Sequence, residues 1–226
     1  MKLMVCVKSC LRDFDRGAHD VIRGTWGNAL RDFGITTKFF VGQPTDVRRA
    51  YRFQSDEVMI EAKDDYASLP YKTRSICRWA LGKLIDYVFL ADVDTCIYPA
   101  KFAAFKCELS DYAGRMWNPK APYNTVDPDG HPEIHNTCFP YASGGFGYFL
   151  SRKACDIVAW ESPTSWAEDL WVGQVLGPFV QGNEMLSANI PAGTISTHYP
   201  FRIDNKSDYD PKNGWMQREY NAHKEK

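Results

Sequence analysis

No stretch of this 226-residue chain approaches the ~20 consecutive apolar residues that a membrane-spanning helix needs. The opening run, residues 1–7, is cut off by Lys8 and Ser9 and is too short for a signal-peptide core. It reads instead as a first core strand. The seven cysteines contain no C-x-x-C pair. An odd count without a secretion signal favours free thiols in a reducing compartment, so a cytoplasmic protein is expected. Neither sign of charge dominates. A net charge of −1 excludes the global basic footprint of a nucleic-acid binder. Arg48, Arg49 and Arg52 form a small basic cluster that reads as a solvated helix face. No G-x-G-x-x-G follows the first strand, where Val7-Lys8-Ser9-Cys10 stands, and this counts against a Rossmann-type oxidoreductase. Internal repeats and a domain-separating linker are also missing. One domain over residues 1–226 is expected, with a first half at 1–98, a second at 99–205 and a polar tail at 206–226.

What is present is a hydrophobic fraction of 44%, enough for a sizeable core. Strand-like runs fall at 3–7, 36–41, 58–61 and 87–91. Residues 11–17 read as a polar loop. Helical spacing predicts a helix over 19–33, with Val21, Ile22, Trp26, Leu30 and Phe33 on one face and Gly34 closing it. A short helix is expected over 46–54. A long one is expected over 68–85, with Ser68 as its N-cap and Trp79 in its core stripe, and further helices over 151–160 and from 168 to 176. Strands alternating with helices argue for an α/β fold with a mostly parallel sheet, whose ligands bind beyond the carboxyl ends of the strands. Residues 111–140, rich in Pro, Asn, Asp and Gly, read as a long functional connection.

Nineteen aspartates make four Asp-x-Asp triplets: 13/15, 92/94, 127/129 and 208/210. Only Asp92/Asp94 follows an apolar strand-like run; the others lie among turn formers. Residues i and i+2 of an extended chain project to one side, so Asp92 and Asp94 can converge. Two hard oxygen ligands at a strand end suit a divalent cation holding a diphosphate, although such carboxylates also cap helices. His131-Pro132-Glu133-Ile134-His135 superficially suggests zinc. Pro132 opposes a continuous helix there and no third ligand is evident, so the segment is assigned to an acceptor-side loop.

Six segments in order resemble the beta-1,3-galactosyltransferase and Fringe-type glycosyltransferases (family 31), of GT-A fold, from about residue 3 to about residue 200. They are Val21-Ile22-Arg23-Gly24-Thr25-Trp26-Gly27, Phe39-Phe40-Val41-Gly42, the stretch 64–73, Asp92-Val93-Asp94, the stretch 141–150, and Glu168-Asp169-Leu170-Trp171-Val172-Gly173. The chain departs from the family at Val93, where a middle carboxylate is expected, and at Ser68, where Asn is expected. It also lacks the membrane anchor and stem of eukaryotic members, so it resembles a compact core of microbial or viral type.

The resemblance implies an inverting, metal-dependent transfer of a hexose or N-acetylhexosamine from a UDP-sugar to an acceptor hydroxyl. The acceptor would be a glycan, or a hydroxymethylated base of viral DNA. It implies Asp94 and the late His198 as ligands of Mn²⁺ (or Mg²⁺), with Asp92 reaching the metal through water or contacting the ribose. One imidazole among oxygens tilts the choice toward Mn²⁺. It implies Asp169 as general base, beside a bland reading in which Glu168 and Asp169 only cap a helix. Gly144 and Gly145 would line the donor–acceptor pocket. Arg23 and Lys72 suit the diphosphate or uracil, or else ion pairs with Asp64 or Asp65. Trp117, Trp166 and Trp171 are placed to stack on a sugar or base; Trp26 and Trp79 read as core. A non-catalytic carbohydrate- or nucleotide-binding protein is the competing class.

Overall fold

A computed structural model of the chain describes residues 1–43, 52–120, 123–127, 129–135, 139–199 and 214–224. The first half runs β1 (Leu3–Ser9), α1 (Leu11–Asp15), α2 (Ala18–Ile22), β2 (Thr36–Gln43), β3 (Glu57–Lys63), α3 (Leu69–Gly82), β4 (Tyr87–Asp92) and β5 (Thr95–Ile97). Then follow α4 (Pro99–Ala104), β6 (Tyr112–Gly114), β7 (Met116–Trp117), β8 (Tyr123–Val126), β9 (Pro132–His135), β10 (Tyr141–Ala142) and β11 (Tyr148–Ser151). The last elements are α5 (Arg152–Trp160), α6 (Glu168–Gln181), β12 (Ser187–Asn189), β13 (Ser196–His198) and α7 (Trp215–His223).

Seven strands form one sheet in the order β12-β6-β11-β4-β1-β2-β3. β1 pairs in parallel with β2 and β4, β2 with β3, and β6 with β12; β11 is antiparallel to both β4 and β6. The expected α/β fold, a mixed and mostly parallel sheet flanked by helices, is what the chain forms. Strand alternation divides the core. Cys6, Val88 and Leu90 pack on one face with Ile76, Cys77, Val158 and Trp171 from α3, α5 and α6. Val5, Val7, Phe89 and Ala91 pack on the other with Ile22, Trp26, Phe102 and Met216. Period-two strands covered by helices on both sides make three layers.

Several expectations need correction. Residues 11–15 are helical rather than loop. The helix expected over 19–33 breaks after Ile22 into a widened turn at 23–27, with Thr25 at φ −120° and ψ −120°, and a tight turn at 30–33. Thr25 donates its hydroxyl to the Val21 carbonyl at 2.7 Å, diverting an acceptor from the helical ladder. Ser68 occupies the cap position of α3 without a side-chain bond; its N–H donates to Asp65 Oδ1 at 2.8 Å instead. The long connection at 111–140 contains the β8–β9 hairpin, in register Tyr123↔His135 to Val126↔Pro132. Within the expected polar tail, α7 buries Met216, whose sulfur accepts from the Trp26 indole N–H at 3.2 Å. The helix expected at 46–54, with Arg48 and Arg49, lies outside the described residues except for 52–54, which carry no regular structure. Among the described residues no helix is long and apolar enough to cross a membrane.

Candidate active site

The site lies beyond the carboxyl ends of β1 and β4, where the parallel register sets Lys8 opposite Asp92. β4 ends at Asp92, and residues 93–94 form a turn before β5. Strand alternation therefore does not bring Asp94 beside Asp92; the turn does. Asp92 N–H donates to Thr95 Oγ1 at 3.1 Å, and the Thr95 hydroxyl donates to the Gly145 carbonyl at 2.8 Å. One threonine thus links this turn to the glycine segment.

β13 pairs antiparallel with β5, with His198 opposite Thr95, so a residue from the second half arrives beside the Asp turn. His198 Nε2 lies 3.2 Å from Asp94 Oδ2. That hydrogen bond raises the imidazole's pKa, overcoming the effect of its burial. Asp94 Oδ1 is buried and finds no partner among the described residues. A carboxylate oxygen without a donor, beside an imidazole, is a set of ligands suited to a divalent ion. Gly145 permits this approach, since a Cβ there would sit 2.7 Å from the His198 ring.

Asp169 is on the other side of the same glycine turn. Gly144 N–H donates to its Oδ2 at 3.0 Å, and Leu170 N–H to its Oδ1 at 2.8 Å. Burial, with Glu168 alongside, raises the Asp169 pKa. A Cβ on Gly144 would lie 3.3 Å from Glu168 Oε2 and 3.6 Å from Asp169 Cβ. Asp94, His198, Asp169, Gly144 and Gly145 therefore converge.

The sequence places Lys8 at the ligand-binding end of the first strand but assigns it no role. Its Nζ is buried, 3.2 Å from Asp92 Oδ1 and 2.9 Å from Glu168 Oε2. Burial lowers the ammonium's pKa, but Asp92 and Glu168 outweigh it and the net shift is upward. Glu168 also accepts from Thr73 Oγ1 at 2.5 Å and from the Tyr148 hydroxyl, so it is a buried anchor and not a simple cap. Asp92 is raised to about 6, mainly by burial, with Lys8 pulling down and Asp94 and Glu168 pushing up. The clue available in the sequence was a charged residue ending a run of buried strand positions.

Arg23 and Lys72 do not join this group. Arg23 is met by Asp20 at 2.7 Å, Asp56 at 2.8 Å and Glu57 at 2.5 Å. Lys72 is buried and donates to the Ser9 carbonyl at 2.8 Å and to Asp64 at 3.0 Å. Trp171 is fully buried in the core and cannot stack on a ligand. Trp117 is about half exposed beneath Arg115. Among the described residues, Asp127, Asp129 and His131 bring three ligating atoms together; Asp127 Oδ1 already accepts the N–H groups of Asp129 and His131, as in an ordinary Asp turn.

Residues 18–179 match the galactosyltransferase family. No curated protein matches the chain. Among solved structures, the chain is similar to the catalytic domain of Drosophila beta1,4galactosyltransferase 7 in complex with xylobiose. The two are 14% identical over 97% of this chain and 79% of that one, with a TM-score of 0.49. A glycosyltransferase involved in glycosylation of the major capsid of PBCV-1 is 10% identical over 92% and 97%, at 0.46. The 2-C-methyl-D-erythritol 4-phosphate cytidylyltransferase from Thermus thermophilus is 12% identical over 88% and 94%, at 0.36. With the family matched over most of its length, the chain belongs to the galactosyltransferase family and is a glycosyltransferase.

Proposed function

We propose that this glycosyltransferase moves a hexose or N-acetylhexosamine from a UDP-sugar to an acceptor hydroxyl, with inversion and with the help of a divalent ion. The observation that carries this reading is the glycine turn shared by two functions. Gly144 holds Asp169 through its N–H, and Gly145 leaves room for His198 against Asp94.

Asp94 and His198 would hold Mn²⁺ (or Mg²⁺); the unpartnered Asp94 Oδ1 and the adjoining imidazole fit it. Asp92, already paired with Lys8, would act through water or on the ribose. The bound ion would supply Lewis-acid neutralisation of the leaving diphosphate. Asp169 would accept the proton of the attacking hydroxyl. Its two backbone hydrogen bonds fix the carboxylate while leaving lone pairs free, and its raised pKa suits a base. The acceptor oxygen bonds to the anomeric carbon as the bond to the diphosphate breaks on the opposite side, so an α-linked donor gives a β-linked product. Arg23 and Lys72, each met by carboxylates, would stiffen the donor half without touching the diphosphate.

The test is calorimetric titration of UDP with Mn²⁺, then with EDTA, on the wild type and on Asp94→Ala. Binding that requires Mn²⁺ and is lost in the variant is expected. A folded protein that never binds UDP would overturn the donor assignment. Binding indifferent to EDTA and to the substitution would remove the metal from it.

A further inference from the structure

Outside the carboxylates and glycines, two aromatic side chains meet near the start of α6, the helix that carries Asp169. Tyr66 and Trp166 have ring centroids 6.0 Å apart at an interplanar angle of 42°. Trp166 lies three residues before Asp169, at the entrance to α6. Tyr66 is 64% exposed. Its pKa is raised by burial at the hydroxyl end and by the nearby carboxylates of Asp92, Asp169 and Asp94.

The Trp166 indole N–H is buried and finds no partner among the described residues. Buried donors are almost always paired, and this one, three residues from Asp169 in sequence, is free to meet an acceptor atom from a ligand. The residue is held in place by the β8–β9 hairpin. Glu133 Oε2 accepts from Ser165 Oγ at 2.7 Å, and Glu133 Oε1 accepts from the Trp166 backbone N–H at 3.3 Å. The side chain of one hairpin residue therefore fixes the segment that presents the indole.

We infer that Tyr66 and Trp166 form the subsite for the acceptor, and that this acceptor is a pyranose. The inference rests on the glycosyltransferase reading of Asp169. The ring next to the general base carries the attacking hydroxyl, whereas uracil lies a diphosphate away from the reacting carbon. A pyranose offers an apolar C–H face to an aromatic ring and hydroxyl oxygens to a dry N–H, which is the combination present here. Glu133, on the hairpin, is then a positioning residue for acceptor choice.

The experiment is ¹H–¹⁵N correlation of the indole N–H groups in the full chain, with UDP and diamagnetic Mg²⁺ present. Trp166→Phe, which keeps a ring and removes the donor, identifies the Trp166 signal. Methyl β-D-galactopyranoside, methyl β-D-xylopyranoside and methyl N-acetyl-β-D-glucosaminide are titrated, with 5-hydroxymethyl-2′-deoxycytidine as the competing probe. A saturable shift of the Trp166 signal with at least one glycoside is expected. Trp166→Phe should weaken that glycoside's binding about five- to ten-fold, the yield of one neutral hydrogen bond. With an acceptor turned over, the change should fall on the acceptor KM more than on kcat. A signal that moves with UDP·Mg²⁺ alone and ignores every glycoside would assign the pair to the donor and overturn the inference. A shift only with the nucleoside would overturn the pyranose and favour a modified base. No shift with any probe, in protein that binds UDP, would remove the subsite. Failure to bind UDP at all would instead indict the glycosyltransferase site itself.

Discussion

A single carboxylate bears most of the chemistry proposed here. Asp169→Asn keeps one of the two backbone hydrogen bonds, because its amide nitrogen cannot accept from an N–H, and it removes the proton acceptor. Transfer should fall by about 10²- to 10⁴-fold while metal-dependent UDP binding persists, read by product formation beside calorimetry. Gly145→Ala acts on the other side of the turn. Its Cβ would meet the His198 ring at 2.7 Å, so the imidazole must leave Asp94. UDP affinity in Mn²⁺ should drop in this variant and resemble that of wild type in EDTA. The proposed metal ligands also imply a pH dependence. Asp92, raised to about 6, is protonated below that value, and His198, raised by Asp94, also takes up a proton on the acid side. Both protons compete with a cation. Apparent Mn²⁺ affinity should therefore rise with pH through about 6 as Asp92 loses its proton, and level off only after His198, held above the ordinary imidazole value, has lost its own, as measured by titration at several pH values.

The elements are joined by the Lys8–Glu168 bridge. It ties β1 to β4 through Asp92 and to α6 through Glu168, while Thr73 brings α3 and Tyr148 brings β11. Lys8→Met strands two carboxylates around a buried gap and should cost about 3–5 kcal/mol in urea denaturation. Adding Glu168→Gln should recover part of that loss, because no anion is then left unpaired at α6 and the acceptor for Thr73 and Tyr148 remains. The bridge also marks the limit of what was legible. Strands β1, β2 and β4 and helices α3 and α6 could be read because their apolar spacing is local. Asp92 could be read because a strand delivers it. Lys8 and Glu168 are separated by 160 positions, and no local pattern states which strands will neighbour each other. The break at Thr25 was hidden because the apolar positions around it keep helical spacing across the break. Trp171 looked free to stack because its helix is apolar on several sides, which is why it lies wholly in the core. The grouping of Asp94, Asp169 and His198 was accessible only through the family resemblance. Nothing in their spacing predicts that β13 returns to pair with β5.

At the scale of the whole molecule, that returning strand bears on domain organisation. Asp92 and Asp94 belong to residues 1–98, while Gly144, Asp169 and His198 belong to 99–205, and the site requires both. The sheet crosses the same boundary where β4 pairs with β11. Each face of the core mixes residues from both halves of the chain: Cys77 with Val158 on one, Phe89 with Phe149 on the other. Neither half can open without exposing apolar surface on the other, so we expect one unfolding transition for the chain. Ligand linkage sharpens the test. UDP with Mn²⁺ at about one hundred times its dissociation constant should add about 2.7 kcal/mol to the folded state. For a chain of this size that corresponds to a rise in Tm of roughly 5–10 °C. If the halves were separate domains, calorimetry would resolve two transitions, and the ligand would move them unequally. A single endotherm that shifts as a whole, and returns to its original position in EDTA, would instead show that fold and site are one cooperative unit.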